Sequence, residues 1–371
     1  MGKLKSAVYF ANVRARSDKD SKICKVRRLF DAAGMANIAA KGDLVAIKIH
    51  FGERGTDAYI NPIFVRQVVD KVHSLQARPF VTDTNTLYGG DRSNSADHAI
   101  TAIAHGFDYS VISAPIIMAD GLKGQNFSRV EIGGKHFQSV KIAGDIALAD
   151  SLIVLSHFKG HLLSGFGGAI KNLGMGCAPP IGKGEQHSAR PIFNPDLCPG
   201  CGQCAKICPT KAIIVEMKIA SIDYNSCTGC GECLRVCPTH ALDFDWMVQV
   251  PPFLERMVEY AMGAIKEKQG KLGFFNFLLN ITPDCDCLPW SDAPFVPDIG
   301  ILASQDPVAI DHASYDLVNS QMGISNSFLS RHRLPGEDKF KGLWKNTDGL
   351  YQVKYGALLG LGNSDYELID I

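Results

Sequence analysis

Two cysteine-rich segments repeat at an interval of 29 residues, and they constrain the fold of this chain more than any other feature. Each has the spacing C-x2-C-x2-C-x3-C followed by proline, and the eighteen-residue stretches that begin at Asp196 and Asn225 are identical at nine positions. This is the spacing of bacterial ferredoxins that hold two cubane clusters. It predicts two [4Fe–4S] clusters, which exchange electrons one at a time.

The ligands of the two clusters are expected to cross between the repeats, because the fourth cysteine of each run binds the other cubane. Paired zinc knuckles are the alternative, but zinc sites take their ligands in pairs and do not use the third C-x2 step. Glycines inside both repeats allow backbone N–H groups to approach the cluster sulfur atoms. The expected sets are Cys198, Cys201, Cys204 and Cys237 for one cluster, and Cys227, Cys230, Cys233 and Cys208 for the other.

Strand-like and helix-like segments alternate on both sides of the repeats. An apolar strand is predicted over 44–51 and another over 151–158, and amphipathic helices are predicted over 62–76 and 306–320. Such alternation is typical of a doubly wound, mainly parallel α/β sheet. We therefore predict an α/β domain formed by residues 1–189 and 247–371, interrupted by an inserted α+β ferredoxin-like module over 190–246.

Composition excludes several classes of partner. Lys plus Arg and Asp plus Glu both number 38, so no global basic field would attract nucleic acid or an anionic membrane. The N-terminus has no uninterrupted apolar signal region, and no apolar run is long enough to span a bilayer. The twelve cysteines of a chain expected in the cytoplasm are better explained as metal ligands or redox groups than as disulfides.

A glycine-rich segment follows the second apolar strand and carries basic side chains. Gly165, Gly167 and Gly168 resemble a phosphate-binding loop after a strand, and we expect them to bind a cofactor or an anion. The spacing matches neither a Walker A motif nor a dinucleotide fingerprint, and a purely structural glycine turn is an equal alternative. The candidates for proton transfer or anion binding around this segment are His157, His161, Lys171 and, at the end of the first strand, Lys48.

Cysteines outside the repeats suggest a third metal site. Cys285 and Cys287 form a C-x-C pair in a loop bounded by prolines, and Cys177 follows the glycine-rich segment. Our hypothesis is that these three thiols hold a [4Fe–4S] cluster with one open iron, or a metal completed by His157 or His161. The alternative is three buried, inert thiols. In contrast, Asp306 and Asp311 are interpreted as a helix cap and a surface charge.

Six ordered motifs cover nearly the whole chain: KIHFGE (48–53), TDTNTLYGGDR (82–92), HFKGH (157–161), GFGGAIKNLGMG (165–176), TPDCDC (282–287) and DPVAID (306–311). Together they resemble the ferredoxin-fused branch of the family known as domain of unknown function 362, whose members are often labelled Fe–S centre proteins. The resemblance implies an α/β domain interrupted by a two-cluster module, in a cytoplasmic protein found mostly in anaerobes.

A more distant resemblance concerns the run from His161 through the glycines to Lys171. It is similar to the H-x(n)-G-x-x-G-G-x-K stretch of the nickel-pincer lactate racemases. By matched positions, this resemblance implies that Lys171 carries the pincer cofactor and that His161 binds nickel or moves protons. The chain departs from the racemase pattern in Asn172 and in the cysteine pair.

The leading interpretation is a low-potential iron–sulfur oxidoreductase that passes electrons from its two clusters to a third metal site in a cleft of the α/β domain. A non-enzymatic electron carrier or adaptor is the first alternative, and a racemase-like enzyme that uses Lys171 is the second. The expected partners are a redox protein and a small anionic substrate, with a homodimer as a further option.

Overall fold

The computed structural model describes residues 5–188, 191–217, 219–227, 229, 231–244 and 249–371. Its largest element is a sheet of eight strands. In chain order these are β1 (Ser6–Asn12), β2 (Leu44–Lys48), β3 (Arg78–Asp83), β4 (Ile116–Met118), β5 (Ser151–His157), β6 (Leu272–Leu278), β7 (Gly300–Ser304) and β8 (Tyr366–Asp370).

The sheet is mainly parallel, as the alternating pattern predicts. The strand order is β8-β1-β7-β6-β5-β2-β3-β4, and β7 alone among these eight strands runs antiparallel to its neighbours. The four strands β6, β5, β2 and β3 are consecutive and parallel, with Phe274 opposite Val154 and Ala46 opposite Leu152. Their carboxyl ends therefore lie at one edge of the sheet, where ligands bind in open α/β folds.

Helices cover both faces of this sheet. Those with six or more residues are α1 (Lys22–Ala32), α2 (Pro62–Ser74), α3 (Ser95–Ala104), α4 (Ala169–Gly174), α5 (Pro180–His187), α6 (Val250–Ile265), α7 (Pro307–Asn319) and α8 (Gly349–Leu359). Along β5, Leu152 and Val154 join the core that contains α6, whereas Ile153 and Leu155 join the core that contains α1 and α2. A strand buried on both faces explains why its sequence is continuously apolar. The prediction of an α/β fold with helices on both sides is confirmed.

The cysteine repeats lie between α5 and α6. A hairpin pairs Ile213–Glu216 with Ile219–Ile222, and a second antiparallel pair joins Pro191–Phe193 to Leu242–Phe244. Short helices cover Gln203–Ile207 and Glu232–Arg235. The predicted module boundaries at 190 and 246 lie outside the described residues.

Among the described residues, an apolar contact joins the second repeat to the loop after β3. Leu234, which directly follows Cys233, packs against the buried Leu87 in the loop after β3. Leu87 also lines a cavity of about 590 Å³ in the α/β domain. In the part of the chain that the structure describes, no helix is both long enough and apolar enough to cross a bilayer.

Candidate functional site

A cavity of about 590 Å³ lies at the carboxyl ends of β2, β3, β5 and β6. Its walls come from the loops that follow these strands, together with α4 and α5. The sequence places polar and glycine residues in these loops, and the parallel order of the strands brings the loops together. The lining side chains that could bind a ligand or transfer a proton are His50, Tyr88, Arg92, His157, Lys159, His161, Lys171, Lys183, His187, Cys285 and Cys287.

Three of these side chains form a candidate metal site. One ligand atom each from His161, Cys285 and Cys287 lies within 4.8 Å of the other two. Two atoms bound to one ion through bonds of about 2.3 Å are at most about 4.6 Å apart. The 4.8 Å limit is close to this value, so the three side chains could hold one metal ion. Of the two completions that the sequence suggested, His161 joins the cysteine pair and His157 does not.

The two thiols of the pair differ strongly in acidity. A hydrogen bond from Cys287, followed by the charges of Lys171 and Lys159, holds the pKa of Cys285 well below its ordinary value. The same hydrogen bond, followed by burial, raises the pKa of Cys287. Lys171 Nζ lies 3.5 Å from Cys285 Sγ. Because the thiolate is the form that binds metals, Cys285 is prepared to act as the first ligand.

His161 is neutral in this environment. Burial, followed by the charge of Lys171, lowers its pKa well below the ordinary value. The backbone N–H groups of Leu163 and Ser164 both donate to Nδ1 at 3.1 Å, so the ring proton lies on Nε2. Coordination of a metal through Nε2 by the neutral ring would therefore require this proton to move to Nδ1, at the expense of the two accepted hydrogen bonds.

A buried carboxylate holds the C-x-C loop in place. Asp286, between the two cysteines, accepts hydrogen bonds from His157 Nδ1 at 2.8 Å and from Lys159 Nζ at 3.0 Å. Although burial opposes it, the charges of His157 and Lys159 lower the pKa of Asp286. His157 Nε2 faces the carbonyl oxygens of Leu279 and Asn280, both at 3.0 Å. Both nitrogens of His157 are thus engaged, and the predicted catalytic residue is better described as a positioning residue.

Lys48 lies behind the cavity wall. Its side chain is fully buried, its Nζ lies 2.9 Å from Asp83 Oδ1, and it donates to Asn172 Oδ1 at 2.7 Å. Asn172 in turn donates to Leu155 O and Ser156 Oγ. Lys48 therefore joins β2, β3 and α4, whereas Lys171, one residue before Asn172, lines the cavity.

Cys177 does not join Cys285 and Cys287 in the candidate metal site. It is fully buried, its Sγ contacts the backbone oxygen of Asn172 at 3.7 Å, and burial raises its pKa to about 11. It does not belong to the metal-ligand group found among the described residues. The physical reason is local, since its backbone N–H bonds Leu173 O and so continues the helical turn of α4 into the core.

The backbone of the glycine-rich segment binds the carboxylate of Asp311, where the sequence suggests a bound anion. The N–H groups of Ala169 and Ile170 donate to Asp311 at 2.7 and 2.9 Å. A Cβ on Gly168 would lie 2.3 Å from Asp311 Oδ1, so glycine permits the close approach of this carboxylate. Gly167 and Gly168 line the cavity, and Gly165 has a φ of +75° and packs on Gly349. Asp311 is thus fully buried and not the surface charge that the sequence suggested, whereas Asp306 does cap α7.

We expect Asp311→Asn to lower the free energy of unfolding by about 2 kcal/mol at pH 7, because an amide N–H₂ group would face backbone donors. Burial raises the pKa of Asp311 to about 6, above the unfolded value of about 3.9. The folded state therefore holds the proton more tightly, and stability decreases as pH rises from about 4 to about 6. Urea unfolding across this range should show a smaller decrease in the variant, and an unchanged profile would contradict the assignment.

The last cysteines of the two repeats, Cys208 and Cys237, accept equivalent hydrogen bonds. Cys208 and Cys237 accept hydrogen bonds from the N–H groups of Ala212 and Ala241, at 3.2 and 3.3 Å. A small cavity of about 20 Å³ is lined by the predicted crossed set, Cys198, Cys201, Cys204 and Cys237. Cys230 lies outside the described residues. The glycines of the repeats adopt left-handed φ values between 69° and 73° at Gly200, Gly202, Gly229 and Gly231.

The family described as Domain of unknown function (DUF362) matches residues 45–316, which include all the loops of the cavity. The chain belongs to the DUF362 family. This confirms the resemblance that the six motifs indicate. No curated protein matches this DUF362 chain.

Two solved structures are similar to this DUF362 protein at low identity. The lactate racemase apoprotein from Thermoanaerobacterium thermosaccharolyticum is 13% identical, with a TM-score of 0.38, over 75% of this chain and 51% of that chain. A protein from Thermotoga maritima is 9% identical, with a TM-score of 0.33, over 77% of this chain and 57% of that chain. This chain therefore spans about half the length of these two structures.

Arg92, which lines the cavity of this DUF362 protein, was not singled out as a site residue from the sequence. Arg92 is buried and donates to Glu53 at 3.2 Å and to Tyr88 Oη at 2.8 Å, and Tyr88 donates to Cys287 O at 2.9 Å. This chain of bonds links the loop after β3 to the metal-ligand loop. The available signal was the motif TDTNTLYGGDR itself, in which a polar loop follows directly after a buried strand.

Proposed function

We propose that this DUF362 protein is an iron–sulfur oxidoreductase whose reaction takes place at a metal held by His161, Cys285 and Cys287. Two [4Fe–4S] clusters in the repeats would supply electrons one at a time, and the metal would supply an open coordination position for a substrate. The observation that carries the proposal is the group of three candidate metal ligands inside a cavity of about 590 Å³. The second repeat packs against Leu87, which lines this cavity.

The residues of the repeats fit the proposed clusters. Four cysteines of the crossed set share one cavity, and backbone N–H groups donate to Cys208 and Cys237 at the same position of each repeat. Hydrogen bonds to cluster sulfur tune the reduction potential and orient the ligands. Left-handed glycines next to the cysteines permit the close backbone approach that such bonds require.

The contact between Leu234 and Leu87 supports an order for electron flow. Leu234 follows Cys233 of the second repeat, and Leu87 lies in the cavity wall beside Tyr88, which bonds the carbonyl of Cys287. The cluster of Cys227, Cys230, Cys233 and Cys208 is therefore proposed as the one nearer the cavity. A redox partner protein would then deliver electrons to the cluster of Cys198, Cys201, Cys204 and Cys237.

Metal analysis of anaerobically purified protein tests the proposal. We expect about eight irons from the two cubanes, together with one further metal ion, and the Cys285→Ser/Cys287→Ser variant should lose that ion while keeping both clusters. Cys24→Ser is the matched control, because Cys24 is half-buried on α1, away from the cavity lining. EPR of the reduced protein gives the cluster count independently. A wild-type protein with no additional metal, or with too few irons for two clusters, would sink the proposal.

The cavity also bears on the two alternatives. A carrier or adaptor needs no cavity beside Cys285 and Cys287, so the cavity favours an enzyme. The racemase-like alternative is favoured by one observation, namely that Lys171 lines the cavity next to Cys285. An intact-mass measurement distinguishes this alternative, because a covalent cofactor on Lys171 would add mass that Lys171→Arg removes.

A further inference from the structure

Lys171 lies in the cavity, and no carboxylate forms an ion pair with it among the described residues. Two neighbouring cations are paired with carboxylates: Lys159 with Asp286 at 3.0 Å and Arg92 with Glu53 at 3.2 Å. Lys183 donates to Ala178 O and Thr84 Oγ1, and the carboxylate of Asp120 raises its pKa against the larger opposing effect of burial. Lys171 Nζ has only the Cys285 thiol at 3.5 Å.

Metal binding would leave the charge of Lys171 uncompensated. A divalent ion held by two thiolates and a neutral imidazole carries no net charge, so Cys285 would no longer balance Lys171. A half-buried ammonium without a counter-ion is unfavourable, and an anion from solution would relieve this cost. This step rests on the proposed function, because it needs the metal to be present.

The donors of the cavity suit a monoanion better than a phosphate group. A phosphate is usually held by several N–H donors and by more than one positive charge. The N–H groups of Ala169 and Ile170 are already bonded to Asp311, and the guanidinium of Arg92 is bonded to Glu53 and Tyr88. One lysine beside a metal therefore suits the binding of a single carboxylate.

Part of the cavity lining is apolar. Six side chains from four loops contribute to it: Leu87, Leu162, Leu163, Met175, Leu288 and Pro289. Leu162, in the loop that follows His161, remains 56% exposed, so a ligand with an apolar body would bury surface there. A group the size of a water molecule occupies about 30 Å³, so the cavity has room for about twenty such groups. A three-carbon acid would therefore fill less than half of the cavity.

We propose that the cavity binds a monocarboxylate with an extended apolar body, whose carboxylate pairs with Lys171 beside the metal and whose body lies against the apolar lining residues. Lys171 supplies the charge that binds the carboxylate, and the six apolar side chains supply the surface that the body buries. The ligand is therefore amphiphilic and larger than the small anion that the sequence alone suggests.

Calorimetry with straight-chain carboxylates tests this inference on anaerobically purified full-length protein. Across butanoate, hexanoate, octanoate and decanoate, the affinity should rise about three- to fourfold for each added methylene, the value expected for burial of a CH₂ group. Octanamide, which has the same body without the charge, should bind at least tenfold more weakly than octanoate. Affinity that does not change with chain length, or equal binding of the amide, would overturn the inference.

Two variants distinguish the contribution of the charged residue from that of the apolar residues. Lys171→Met should lower the affinity for octanoate at least tenfold and leave octanamide unaffected, whereas Leu288→Ser should reduce the gain per methylene and leave butanoate unaffected. Lys354→Met on α8 is the control, since Lys354 is exposed and does not line the cavity. Octanoate binding that is insensitive to Lys171→Met would contradict the proposed binding of the carboxylate.

The metal content of the same samples distinguishes the two proposals. Chain-length-dependent binding in protein that has no additional metal would refute the proposed function and leave the apolar site in place. Protein with a full complement of metals and no dependence on chain length would refute this inference alone.

Discussion

Replacement of Asp286 by asparagine should lower the free energy of unfolding by about 3–5 kcal/mol at pH 7, the usual range when one partner of a buried ion pair is removed. Asp286 is almost fully buried and bonds His157 and Lys159. The amide cannot balance the charge of Lys159, which is also buried. Chemical denaturation of the wild type and the variant measures this difference.

The neighbouring carboxylate provides a matched control for this experiment. Asp284 lies two residues away in the same loop and is half-buried, and burial raises its pKa instead of lowering it. Its charged form is therefore disfavoured in the folded state, so Asp284→Asn should be neutral or slightly stabilising. If both substitutions cost the same, the effect would come from the loop in general, and the role assigned to Asp286 would be wrong.

The same variant also tests how the metal site is built. Asp286 holds the backbone between the two cysteines that we propose as metal ligands, and its carbonyl oxygen accepts a hydrogen bond from Glu53 N at 2.8 Å. A metal-ligand pair that is not held in position loses affinity, commonly by 10- to 100-fold when an outer partner is removed. Asp286→Asn should therefore weaken retention of the additional metal, whereas Asp284→Asn should not. Dialysis against a chelator, followed by metal analysis, compares the two.

Local patterns in the sequence predict most of the α/β elements well. The helix predicted over 62–76 is observed as Pro62–Ser74, and the strand predicted over 151–158 is observed as Ser151–His157. These elements depend on periodicity and on caps such as Asn61, whose side chain accepts from Ile63 N. Such signals lie within a few residues of the element that they define, and a single sequence is enough to read them.

The site was only partly predictable, because its polar contacts join distant parts of the chain. The C-x-C pair stands out by its spacing, and His161 stands out by its position after a strand. In contrast, the bond from Ala169 N to Asp311 spans 142 residues, and no local pattern distinguishes a buried carboxylate from a surface one. Cys177 illustrates the reverse case, since a thiol close in sequence to the site is directed into the core by the helix before it.

The second large effect is expected at Lys48, whose removal should also cost about 3–5 kcal/mol at pH 7. Lys48→Met would leave the buried Asp83 carboxylate without its closest positive partner, which now lies 2.9 Å away. Asn172 would lose the hydrogen bond that ties α4 to β2. Chemical denaturation measures the loss in the free energy of unfolding. Lys141→Met is an unsuitable control, because Lys141 is itself paired with Glu185. The exposed Lys354 provides the neutral comparison.

The pH dependence of this loss identifies Asp83 as its source. Burial alone would raise the pKa of Asp83, but the charges of Lys48 and Arg92 lower it on balance, so in the wild type this group contributes stability above the unfolded pKa of about 3.9 and loses it at lower pH. Without Lys48, burial should raise the folded pKa above the unfolded one, and protonation should then relieve the variant. The penalty for Lys48→Met should therefore shrink as the pH falls from 7 to about 4, and Asp83→Asn in the same chain should remove that dependence. A penalty that stays constant over this range would show that packing of the lysine stem, and not the ion pair, stabilises the end of β2.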